Sequence, residues 1–170
     1  MHKSRKSIDL QQKAYCQNIS DHISYKEAIR SQTAIKKAII NIPNDDQLYN
    51  MRLLANNVFE PLRLQFGKPI FVSSFFRCEQ LNFIIGGAAL SQHCAKKGSA
   101  IDIDADVFGY FSNKEYFEFI RDNLIFDQLI WEFGDDNNPD WIHVSFNGGK
   151  NQLNILKSYI YGNKIQYKTF

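Results

Sequence analysis

The sequence predicts an α+β fold with a mainly antiparallel sheet flanked by helices. Two patterns carry that expectation: helical periodicity dominates the chain before Gly67, and beyond it come short strand-like segments, joined by short connections with one helix between them. At 170 residues the chain has the size of one ordinary domain, long enough to bury a core without staples. No repeat, low-complexity block or Pro/Gly/Ser-rich linker divides it, so residues 1–20 read as a polar lead-in and 21–170 as a single domain.

Ser24 and Glu27 in "ISYKEAIRSQTAIKKAII" form a capping-box pattern ahead of a short helix, which Asn41 and Pro43 then punctuate. From Asp45, Leu48, Met51, Leu54, Ala55, Val58, Leu62 and Phe66 recur near helical spacing, with Gly67 as the stop. Pro61 lies inside this pattern, and its missing N–H predicts a kink or break near Phe59. "KPIFVSSFF" is rich in β-branched and aromatic residues and reads as a strand; "CEQLNFIIGG" reads as a short helix closed by Gly86 and Gly87.

"SAIDIDA" alternates with period two, placing Ala100, Asp102 and Asp104 on one face and Ile101 and Ile103 on the other. The aspartates are therefore expected to point together, away from the core. "SNKEYFEFIRDNL" is a helix capped by Ser112 or Asn113, followed by the strand "DQLIWEF", the polar loop "GDDNNPD" and the strand "WIHVSF". "KSYIYGNKIQY" resembles a hairpin turning on Gly162 and Asn163.

Lys+Arg of 20 against Asp+Glu of 18 leaves a formal charge of +2, so no electrostatic footprint points to nucleic acid. The early basic stretches "HKSRKS" and "AIKKAI" read as solvated helix faces. Cys16, Cys78 and Cys94 are odd in number and irregular in spacing, which fits reduced thiols rather than a disulfide framework. No apolar run is long enough to span a bilayer, and no export signal is visible. The expectation is a monomer made in the cytoplasm, without stable membrane insertion.

One histidine is more often a hydrogen-bonded structural residue than a ligand, so His93 alone would carry little. Asp102 follows a small-residue turn, and His143 sits mid-strand on the face of Trp141 and Ser145. Two histidines, one carboxylate and an open position match the ligand count of a catalytic zinc site. Asp140, three residues before His143, and Glu132, at the end of the preceding strand, are both carboxylates that can relay a proton. Arg77 offers a fixed positive charge for a substrate carboxylate or an oxyanion. Taken singly, these three read as loop, strand-edge and ion-pair charges. Asp104 is either a partner holding a zinc histidine in its tautomer or a solvated strand end, and Trp131 and Trp141 are core or site-wall aromatics.

"SQH…GSAIDID", "DQLIWEF" and "DWIHVS" together resemble the zinc D-alanyl-D-alanine carboxypeptidase family, whose fold is shared with the Hedgehog signalling domain. The resemblance runs over about residues 22–147 and favours the small phage-type subgroup. It implies zinc held by His93, Asp102 and His143, with Gly98 and Ala100 in the family's Gly-x-Ala-x-Asp element. It further implies substrate contacts from Ser91 and Arg77. The family's Glu-x-x-His glutamate falls on Asp140, a shorter side chain, which keeps Glu132 in play as the base. A second departure is the His93–Gly98 connection, two residues longer than the family pattern, an addition that a surface loop absorbs cheaply.

The implied activity is hydrolysis of peptidoglycan stem peptides, as a carboxypeptidase or a cross-link endopeptidase, in an endolysin-like or particle-borne setting reached without a signal peptide. The alternative is a catalytically impaired module on the same fold that binds wall peptides or a protein partner, with association to a virion as one setting.

Overall fold

The computed structural model describes residues 18–170. Most of the polar lead-in, with Cys16, lies outside the described residues. Helices α1 (Tyr25–Ala28) and α2 (Gln32–Lys36) open it. The sequence pattern suggested one helix here; Ser31, whose hydroxyl accepts from the Ala34 N–H, caps a second start and divides it in two.

Helix α3 (Asp45–Leu54) passes through a π-helical turn, Ala55–Phe59, into α4 (Glu60–Phe66), and Gly67 ends it in the left-handed region. This is the interruption that Pro61 foretold. Pro61 has no N–H to give to the preceding turn, and the backbone widens so that the Glu60 N–H reaches Ala55 O five residues back. Strand β1 (Phe71–Ser74), α5 (Glu79–Ile84), a 3₁₀ turn (Gln92–Cys94) and β2 (Ser99–Asp104) follow. Then come α6 (Asn113–Asn123), capped by Ser112 and Glu115 in a full capping box, β3 (Gln128–Glu132), β4 (Trp141–Phe146), β5 (Asn154–Tyr161) and β6 (Lys164–Thr169).

The six strands form one sheet in the order β1-β2-β4-β3-β5-β6, antiparallel except for the β3–β5 pair. The fold is α+β with a mostly antiparallel sheet. Ile101, Ile103, Leu129, Trp131, Ile142 and Val144 are buried on one face against Leu48, Met51, Leu54, Val58, Leu62, Phe117 and Ile120 from the helices. Burying these aliphatic and aromatic side chains contributes roughly 1.5–3 kcal/mol each.

The opposite face carries a register row that crosses the whole sheet. Ser74 pairs with Asp102, Asp102 with His143, His143 with Ile130, Ile130 with Leu156, and Leu156 with Thr169. Directly opposed residues share a face, so the pairing alone sets Asp102 beside His143. A β-bulge at Ser73 shifts β1 by one residue and brings Ser74 opposite Asp102.

Gly98 starts β2 with φ +101°, and a Cβ there would lie 2.5 Å from the Phe146 carbonyl oxygen. Only glycine fits this close approach. Gly98→Ala is expected to destabilise the fold by at least about 1–3 kcal/mol, read as a lower urea midpoint at unchanged m-value.

Candidate metal centre

His93 sits in the 3₁₀ turn and is 3% exposed, while Asp102 and His143 come from neighbouring central strands. His93 Nε2 lies 3.1 Å from Asp102 Oδ1 and 3.2 Å from His143 Nδ1, and the last two atoms are 2.8 Å apart. The Nδ1–H of His93 donates to the Phe75 carbonyl at 2.7 Å, which leaves Nε2 as a lone pair facing the other two atoms. Three potential ligand atoms, one from each residue, thus converge. Their spacing is close to the edge of a ligand shell with bonds of about 2.0–2.1 Å to nitrogen and oxygen, so this donor set fits a small divalent cation.

Electrostatics around Asp102 agree with that fit. Burial would raise the Asp102 carboxyl, but the His93 and His143 imidazoles beside it outweigh that and hold the group well below the usual carboxylate range. Burial lowers His93, keeping its imidazole in the neutral form a cation needs. Arg77 Nη2 donates to Asp102 Oδ2 at 2.6 Å and Arg77 Nε to Ser74 Oγ at 2.8 Å, while the Arg77 backbone N–H holds the His93 carbonyl.

A cavity of about 640 Å³ opens over this cluster. Arg77, Ser91, Glu132 and Trp141 line it along with the three candidate ligands. Asp140 does not: it is exposed, its backbone N–H bonds to Glu132 O, and it has the strand parity of core-facing Ile142. Glu132 is directly opposite Trp141 and so shares the face of His143. It is 7% exposed, and burial pushes its carboxyl up.

Asp104 touches neither histidine. It accepts from the Asn113 side chain and the Asp106 backbone, so the tautomer of His93 is set by Phe75 O instead. Trp131 is buried, with its Nε1–H on the Asp135 carbonyl, whereas Trp141 forms site wall. Cys94 stays outside the cluster, its thiol raised by burial, and the long His93–Gly98 connection turns through Ala95 at φ +54° and exposed Lys96 and Lys97.

A protein-family model described as Peptidase M15 matches residues 21–145. The chain belongs to the peptidase M15 family. No curated protein matches it. M15 membership supports hydrolase and metallopeptidase chemistry, and M15 peptidases are generally zinc-dependent. Among the described residues, no helix is long and apolar enough to cross a membrane.

Two residues that hold this M15 site read in the sequence only as helix punctuation and as a candidate helix cap. Buried Asn41 donates to the carbonyls of Ile29 and Phe76 and accepts from the Cys78 N–H, fixing the segment that presents both Phe75 O and Arg77. Fully buried Asn113 accepts from the Ala105 N–H and donates to Asp104, Asp106 and the carbonyls of Pro139 and Asp140, tying the end of β2 to the approach to β4. The only sequence signal was their occurrence beside Pro43 and Ser112, in positions that read as punctuation.

Replacing Arg77 with alanine should weaken divalent-cation binding by about 10–100-fold, because Asp102 loses the group that orients it. Chelator competition on the purified protein measures this, and affinity equal to wild type would remove Arg77 from the site's support.

Proposed function

We propose that the chain is a zinc-dependent peptidoglycan peptidase that hydrolyses cell-wall stem peptides, of the D-Ala-D-Ala carboxypeptidase or cross-link endopeptidase type. The observation that carries this reading is the convergence of His93 Nε2, Asp102 Oδ1 and His143 Nδ1 at 2.8–3.2 Å in the floor of an open cavity. When bound by these residues, zinc would supply Lewis-acid activation of water and of the scissile carbonyl.

The chain's own residues do the rest. Glu132 accepts the proton of the attacking water and passes it to the leaving amine; its burial brings its pKa closer to neutrality, which suits both halves of that task. This assignment favours Glu132 over Asp140, since Glu132 lines the cavity and Asp140 does not. Arg77 keeps Asp102 ionised and oriented, with further guanidinium donors available to a substrate oxygen. Ser91, on the cavity wall two residues before His93, is placed to hydrogen-bond the peptide. The setting is the bacterial wall, reached after release of the protein or on a phage particle, and the working unit is a monomer.

Mass spectrometry of peptidoglycan incubated with the protein, with and without zinc and a chelator, tests the activity. New zinc-dependent ends are expected, and intact wall from folded, zinc-loaded protein would leave the binding-module reading instead. Glu132→Gln should lower kcat by about 10²–10⁴-fold with zinc content unchanged, while Asp140→Asn stays within about threefold of wild type. As pH falls, kcat/KM should drop through a pKa above that of an ordinary glutamate, since the base must be ionised and burial has raised it. A wild-type profile that persists in Glu132→Gln would refute the assignment.

A further inference from the structure

The family match ends at residue 145, yet the cavity does not. Leu156, Ile165 and Tyr167, all from the β5–β6 hairpin, line it together with His93, Asp102 and His143. The hairpin is built onto the sheet rather than trailing from it. Strand β5 pairs in parallel with β3 from Gln128↔Asn154 to Trp131↔Lys157, and the Phe170 ring packs 5.0 Å from Phe117 and 5.4 Å from Trp131. Its turn residues, Gly162 and Asn163, have φ +56° and +61°, the pair of positive angles that a tight two-residue hairpin requires.

The two faces of the hairpin differ. Leu156, Ser158, Ile165 and Tyr167 share the face of the metal cluster, because Leu156 is in register with Ile130 and Ser158 with Tyr167. Tyr159 and Tyr161 lie on the other. On the cavity side, Ile165 and Tyr167 are half-exposed large side chains beside Ile130 and Trp141, an apolar strip next to a polar centre. Burial, then the Glu132 and Asp102 charges, push the Tyr167 phenol up, consistent with a ring that faces the carboxylates.

Ser158 links the hairpin to Glu132 as well. It is 1% exposed, its oxygen accepts from the Phe133 N–H at 2.9 Å, and it stands near enough to the Glu132 carboxyl to counter part of the upward push of burial. Phe133 has φ +53°, a conformation that a bulky aromatic residue adopts only when its surroundings enforce it.

We infer that the β5–β6 hairpin is a substrate-binding element of this site: Tyr167, with Leu156 and Ile165, receives an apolar side chain of the bound peptide, and Ser158 is a positioning residue for Glu132. The inference rests on the peptidase reading for its substrate. Its occupant is the peptide held at the metal centre, since strip and centre line one continuous cavity.

The test is isothermal titration of disaccharide-tetrapeptide muropeptides, which carry neither a terminal D-Ala-D-Ala bond nor a cross-link, into the zinc-loaded full chain. Hydrolysis of disaccharide-pentapeptide and cross-linked muropeptides is measured in parallel. Tyr167→Ala should weaken binding and raise KM by about tenfold with kcat within about twofold, because it removes apolar contact alone. Tyr161→Ala, on the other face of the same hairpin, should match wild type. Ser158→Ala should lower kcat with muropeptide binding and zinc content retained, and Ser158→Thr should restore it. Wild-type muropeptide affinity in Tyr167→Ala, or equal losses in Tyr161→Ala, overturns the hairpin's role. Binding without hydrolysis by the wild-type protein counts against the peptidase reading while the Tyr167 comparison still decides this one, and no binding by wild type overturns it.

Discussion

The site depends on keeping one carboxylate charged inside the protein. Asp102 is 8% exposed, and an ion so placed loses several kcal/mol of hydration that its neighbours must return. Arg77 does so on one oxygen and the two imidazoles face the other. Because the Arg77 backbone also holds the His93 carbonyl, one residue fixes a ligand on the sheet and a ligand in the preceding turn. The bulge at Ser73, the buried Asn41 and the Phe75 carbonyl all serve to hold the segment 74–78 in the position this clamp requires.

Much of the architecture was legible because it follows from local periodicity. The π turn before Pro61, the left-handed stop at Gly67 and the Gly162–Asn163 turn each follow from backbone chemistry confined to a few residues. Alternation in "SAIDIDA" and "WIHVSF" likewise told which residues share a face. It could not tell that Asp102 stands opposite His143, since register between strands forty residues apart is decided by packing of the whole sheet. The Asp104 side chain shows the limit from the other direction: it shares Asp102's parity but lies two residues along, where Asn113 claims it.

The choice between Asp140 and Glu132 illustrates the same point. The family resemblance placed the Glu-x-x-His acid on Asp140, yet a residue three positions before a strand histidine falls on the opposite side of the pleat. Glu132 is eleven positions away in sequence and next door across the ladder, through Trp141. Arg77 also changed character. In the sequence it read as a fixed charge for a substrate or as an ion-pair partner, and in the fold two of its five guanidinium N–H groups are engaged by Asp102 and Ser74.

The register row has a consequence for how the protein comes into being. Ser74, Asp102 and His143 belong to strands that are distant in sequence, and contacts of such long separation form late because loop-closure entropy must be overcome first. Until β4 docks against β2, His143 stands apart from Asp102 and the three-residue cluster does not exist. The candidate metal centre is therefore completed in the closing steps of assembly, so its presence reports a finished fold.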